Sequence, residues 1–144
     1  MALNESYRRS FMRQLQFISA KKPKYSWGGA SDISSGLDCS GYIFLAAKWA
    51  GLPGIARTTS SRMALGLGGW SGHNSTLDKA APCDLIFWTF TESRPNGHVG
   101  AVISSGPDII NFVHASQRRG VVSQNMTPPL RQKTTTVRKL SIGE

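Results

Sequence analysis

A chain of 144 residues suits one domain with a single sizeable core, and a hydrophobic fraction of 40% against 17% charged residues marks it as globular rather than disordered. No apolar run reaches the ~18 residues a membrane-spanning helix needs, and the three arginines between Met1 and Arg13 are followed by no apolar segment, so no secretory signal peptide is expected. Seventeen basic against eight acidic residues give a net charge of +9, which suits a polyanion: nucleic acid, anionic lipid or an acidic cell wall.

Residues 5–19 read as an amphipathic helix, because Tyr7, Phe11, Leu15 and Ile18 recur at spacings of three and four. Lys21 to Lys24, with Pro23 among them, end it. Tyr25-Ser26-Trp27-Gly28-Gly29 follows, then a Gly/Ser-rich turn segment to Gly36. Tyr25 and Trp27 read as core aromatics by composition; their position also lets Tyr25 offer its hydroxyl to whatever the next segment does. That segment is Asp38-Cys39-Ser40-Gly41, opening a helix through Ala50 that Gly51 stops and Pro53 follows. Asp38 or Ser40 serves as N-cap, so Cys39 falls at the helix start. Residues 51–83 are the least regular stretch. A short helix within Arg57–Leu65, capped by Thr58 or Thr59, is predicted there, with Gly66 to Gly72 and His73-Asn74-Ser75 as loop; a connection this long is often a binding loop or lid.

From Pro82 the pattern turns to strands: 84–90, 98–104, 109–115, a shorter 121–123, and a last one within 134–142. Helices first and an antiparallel meander of about five strands second predict an α+β domain spanning 1–144, without internal repeat or linker.

The basic residues are scattered (Arg8, Arg9, Arg13, Lys21, Lys22, Lys24, then Arg118, Arg119, Arg131, Lys133, Arg138, Lys139). They form no stripe interleaved with aromatics and no known nucleic-acid signature, so nucleic acid is not expected as a partner. Cys39 and Cys83 could form one disulfide but share no framework of spacings, and no Cys-x-x-Cys pair offers zinc a ligand set. No metal site is expected. A thiol at a helix start meets unpaired N–H groups and the positive end of the helix dipole, which favours its thiolate, the nucleophilic form. A base for it must come from three histidines. His98 opens the second strand and His114 closes the third, which sets them side by side at one end of the sheet if register and face allow. One histidine taking the thiol proton while a second group holds its other nitrogen is the pattern of nucleophilic catalysis. His73 reads as a surface histidine.

The ordered set Tyr25-Ser26-Trp27-Gly28-Gly29, Gly36-Leu37-Asp38-Cys39-Ser40-Gly41, Arg57-Thr58-Thr59, Pro82-Cys83-Asp84-Leu85-Ile86-Phe87, His98-Val99-Gly100 and Val113-His114-Ala115 resembles the NlpC family of bacterial cell-wall cysteine peptidases, over roughly residues 10–125. The resemblance implies a papain-like fold with Cys39 as nucleophile, His98 as general base and His114 as the orienting third residue. It implies that Tyr25 lines the oxyanion position and that Asp38 and Ser40 flank the nucleophile and help hold the substrate's free amine. The implied substrate is a peptidoglycan stem peptide, cut typically between D-γ-glutamate and a diamino acid, with no cofactor. One departure stands out: Cys83 replaces the glycine of the usual Pro-Gly-Asp turn, at a cost of about a kcal/mol or more if φ is positive there. A bare domain of this kind, expected as a monomer, resembles phage lytic enzymes, or toxins injected into a rival's periplasm, for which an immunity or inhibitor protein would be a partner. Two alternatives stay open: an acyl or lipid transferase on a related Cys-His fold, and a catalytically silent structural or binding module.

Overall fold

The computed structural model describes residues 3–142. Asn4 caps the first helix, α1 (Glu5–Ala20), by accepting from the Tyr7 N–H at 2.9 Å, and its buried stripe is Phe11, Leu15 and Ile18. Helix α2 (Cys39–Trp49) is buried along nearly its whole first two turns, so its composition is apolar all round rather than striped. A short α3 (Ser60–Ala64) starts at Thr59, whose side chain accepts from the Arg62 N–H. The strands are β1 (Gly72–Ser75), β2 (Leu85–Trp88), β3 (His98–Ser105), β4 (Ile110–Ser116), β5 (Gly120–Asn125) and β6 (Thr134–Leu140), with a 3₁₀ turn at Leu77–Lys79 and a one-and-a-half-turn α4 (Pro128–Lys133) between β5 and β6.

All pairings are antiparallel, in the order β1-β6-β2-β3-β4-β5. The expected α+β, papain-like architecture is therefore present, with six strands where about five were expected. Only β2 to β5 form a meander; β6 returns to pair with the free edge of β2. The extra strand is β1, expected as loop: Gly72, His73, Asn74 and Ser75 have no β preference, and β6 imposes the conformation by pairing Gly72 with Leu140 and Ser75 with Val137. His73 is exposed on this edge strand, as a surface histidine.

The sheet is covered on both faces. Leu85, Phe87, Val99, Ala101, Val113 and Ala115 alternate onto one face and share a core with Phe11, Leu15, Tyr42, Ile43 and Ala46 of α1 and α2. Ile86, Trp88, Val102 and Phe112 form a smaller cluster on the other face, beneath Leu77, Met126 and Leu130. This packing fixes α2 across β3 and β4, with the start of α2 beside the start of β3.

The turn before β2 forms with Cys83 at φ = +76°, the left-handed conformation that favours glycine. The strain of about 1 kcal/mol is met by a closed set of bonds: Cys83 N–H to the Val102 carbonyl, Asp84 N–H to the Ala81 carbonyl, and the Ala81 N–H to the Asp84 carboxylate. Cys39 and Cys83 are both free thiols, and no disulfide joins them. They lie toward opposite ends of β2, too far apart to bridge without moving the fold.

Candidate active site

Cys39 is the first residue of α2, and the backbone is brought to it by glycines. A side chain on Gly41 would collide with the Gly29 carbonyl, and one on Gly29 with that of Gly36, so the Gly28–Gly36 loop closes directly on the helix start. Asp38 is the N-cap: its N–H donates to Gly29, and its carboxylate accepts from the Gly41 N–H at 2.7 Å and the Gly28 N–H at 2.9 Å. Among the described residues, the Cys39 N–H has no protein partner and remains available to a ligand.

The two histidines meet. His98 Nε2 and His114 Nδ1 are 2.7 Å apart, and the rings stand at 84° to one another. Both fall on the face that carries Trp88 and Phe112. Trp88 packs against His98 and His114 at ring-centroid distances of 5.5 and 6.2 Å, and Phe90 and Phe112 complete the cage. This burial, and then the neighbouring His114, pushes His98 down to about 3; burial lowers His114 as well. Cys39 lines the same cavity as this pair, and its thiol donates to the Gly97 carbonyl, just before the start of β3, at 3.9 Å.

Burial also raises the Cys39 pKa, ahead of the Val99 N–H that lowers it. The sequence argument expected the opposite, a thiol made acidic by the helix start. At 9% exposure the loss of water outweighs that field, so the resting site holds a neutral thiol beside a neutral imidazole.

Asp38 and Ser40 point away from Cys39, into bonds of their own. Arg57 forks onto both Asp38 oxygens at 3.0 and 2.9 Å and donates through its other nitrogen to Ser40 Oγ at 2.7 Å. The acid that the resemblance assigns to a substrate amine is thus already paired with a guanidinium. Tyr25 is half-buried beside Cys39; burial first and the thiol second raise its phenol, so it stands as a hydroxyl donor at neutral pH.

Cys39 lies at the middle of a groove with two lobes. One, of about 390 Å³, is lined by His98, His114, Trp88, Phe90, Phe112, Leu130 and Arg118. The other is lined by Trp27, Asp38, Ser40, Arg57 and Thr58 to Ser60. Tyr25, Arg94 and Gly97 border both, and the Arg94 guanidinium lies 5.2 Å over the Trp27 ring. Among the described residues no group of three His, Cys, Asp or Glu side chains is arranged to hold a metal.

Sequence reasoning named Cys39, His98, His114, Tyr25, Asp38 and Ser40, and all six sit within this groove or its wall. It assigned nothing to Arg57, Trp88 or Gln124. Gln124 accepts from His114 Nε2 at 2.8 Å, and the predicted fourth strand stopped one residue short of it. Only the register, which sets Val122 opposite His114 and Gln124 two residues further along the same face, identifies it.

The model of the NlpC/P60 family matches residues 22–139. No curated protein matches the sequence. Among solved structures, the chain is similar to an NLP/P60-family, lipoprotein-like protein of Staphylococcus aureus (TM-score 0.70, 19% identity, 97% of this chain and 43% of the other). It is similar also to NlpC1 of Trichomonas vaginalis (TM-score 0.66, 22% identity, 90% and 44%). A third is Ly7917 (TM-score 0.62, 14% identity, 92% and 62%), a protein also solved with the hydrolyzing product of MDP. The chain thus spans between 43% and 62% of these structures' lengths.

Proposed function

The chain belongs to the NlpC/P60 family of cell-wall peptidases, and on that premise we propose that it is a peptidoglycan hydrolase that cuts an amide bond of the stem peptide by thiol acyl transfer. The bond is that between D-γ-glutamate and the diamino acid, and residues 1–144 act as one catalytic domain. The observation that carries the reading is the His98–His114 hydrogen bond beside a cysteine that opens a buried helix.

Because thiol and imidazole rest neutral, the proton moves as attack develops. The Cys39 thiol turns from Gly97 to His98 and gives up its proton to the free nitrogen of that ring, while sulfur bonds to the carbonyl carbon. The oxyanion forms against the Cys39 N–H and the Tyr25 hydroxyl, donors worth on the order of 3 kcal/mol each when aligned. His98 then returns its proton to the leaving amine as the C–N bond breaks. Water, deprotonated by the same imidazole, hydrolyses the thioester and regenerates the thiol.

The leaving amine must collect a proton from His98, so the diamino-acid half belongs in the lobe that holds His98. Arg94 and Arg118 there suit its carboxylate, and Phe90 and Leu130 its carbon chain. The acyl half belongs in the lobe beside Arg57. The net charge of +9 suits a wall rich in carboxylate and phosphate. No helix among the described residues is long and apolar enough to cross a membrane. The site of action is the cell wall or periplasm.

The test is a synthetic stem peptide containing a D-γ-glutamyl–diamino acid bond, incubated with reduced protein and separated with mass detection. The wild type releases the free diamino-acid amine and Cys39→Ala does not. Equal release by both, or by neither under conditions in which the thiol is reduced, overturns the proposal.

A further inference from the structure

The hydrogen-bond chain does not end at His114. His114 Nε2 lies 2.8 Å from Gln124 Oε1, and Arg119 Nη2 donates to that same oxygen, also at 2.8 Å. Gln124 sits on β5, opposite Phe112 and so diagonal to His114 on the same face. Arg119 precedes β5 in a turn whose 118 and 119 N–H groups are tied to Ser116 Oγ.

A guanidinium has only donors, so the Gln124 atom it meets is the carbonyl oxygen and not the amide nitrogen. A carbonyl oxygen only accepts, so His114 carries its proton on Nε2. Neutral His114 then presents a bare Nδ1, and the proton in the 2.7 Å bond between the rings belongs to His98 Nε2. That leaves His98 Nδ1 with a lone pair. Nδ1 is the ring nitrogen nearer its own backbone, where the Cys39 thiol lies against the Gly97 carbonyl.

The reversed chain is the alternative. With the proton on His114 Nδ1, His98 Nε2 must accept and His98 Nδ1 must hold the hydrogen, which leaves nothing to receive the thiol proton. We propose that Gln124, with its amide held oxygen-first by Arg119, is a positioning residue that selects the tautomer in which His98 can act as the base for Cys39. This rests on the peptidase reading for its effect on rate, but not for the tautomer itself.

The test couples tautomer and turnover. Long-range ¹H–¹⁵N spectra of histidine-labelled protein should show both His98 and His114 protonated on Nε2 in the wild type. Gln124→Leu should bring in Nδ1–H signals for the pair and lower kcat on the stem peptide on the order of tenfold to a hundredfold, less than the full ~10²–10⁴ a positioned base is worth because His98 itself remains, with KM little changed. Gln124→Glu, which keeps an acceptor and a partner for Arg119, should restore Nε2–H and most of kcat. Should Q124L fail to fold, Arg119→Met on the exposed turn is the second probe. It should lower kcat severalfold in the wild-type background and leave the Q124E protein unchanged, because a carboxylate has no wrong end. Wild-type tautomers in Q124L, or in R119M where that variant serves, overturn the proposal; so does an equal loss in Q124L and Q124E. Failure of the peptidase reading looks different, since no variant then turns over while the spectra still decide the tautomer.

Discussion

Removing Arg57 should cost stability through Asp38 rather than through Arg57's own contacts. In Arg57→Met the Asp38 carboxylate, whose side chain is 10% exposed, keeps its bonds to the Gly28 and Gly41 N–H groups but loses, among the described residues, its only countercharge within 4 Å. Breaking a fully buried pair costs about 3–5 kcal/mol. Arg57 is one-third exposed, so solvent screens part of this pair and about 2 kcal/mol is expected. Asp38→Asn should cost about 1–2 kcal/mol, since one cap bond weakens while Arg57 can turn to water. In the double variant the buried charge and its partner go together, so the loss should fall short of the sum by about 1 kcal/mol or more. Urea unfolding of the four proteins measures this directly. Additivity within about 0.5 kcal/mol would refute the clamp. A D38N protein as stable as the wild type but inactive would instead place Asp38's role on the substrate's amine.

Three further outcomes follow from the groove. His98 has a folded-state pKa of about 3 against an ordinary 6.5, so in that window the unfolded chain binds a proton that the folded protein excludes. Its contribution is whole above pH 6.5 and declines as pH falls toward 3, by up to ~1.4 kcal/mol per unit; urea midpoints of His98→Gln should therefore fall less steeply than those of the wild type, and parallel curves would contradict the buried neutral imidazole. Alkylation of Cys39 by iodoacetamide should keep accelerating past the ordinary thiol value of 9.0, with Cys83, pushed up to about 11, slower still; a rate already flat below pH 7 would mean a preformed ion pair. Tyr25→Phe should lower kcat about tenfold to a hundredfold while the urea midpoint stays within ~0.5 kcal/mol, and an unchanged kcat would remove Tyr25 from the oxyanion position.

Much of the fold was legible because its signals are local. The 3–4 spacing of Phe11, Leu15 and Ile18 gives α1, and Asp38 and Gly51 bracket α2. The β-branched and aromatic runs at 85–88, 98–105 and 110–116 are strands that need no context. What stayed hidden depends on pairing. Gly72-His73-Asn74-Ser75 is a strand only because β6 offers an edge, and Pro128-Pro129 reads as a breaker until Thr127 is seen capping α4. The meeting of His98 and His114 was legible from strand order. Their fixing by Gln124 was not, because a glutamine at a strand end carries no signal without the register. The acidity of Cys39 was misjudged for a related reason: a helix start is visible in sequence, whereas the apolar core and the closed glycine loop around that helix start are not.

The central claim, that Cys39 breaks a stem-peptide amide, is met most directly by digesting purified peptidoglycan with the wild type and with Cys39→Ala and identifying the soluble products by mass. The account predicts fragments that end at γ-linked glutamate and begin at the diamino acid, from the wild type alone. The same fragments from the C39A protein, or none from a reduced and folded wild type, would contradict it.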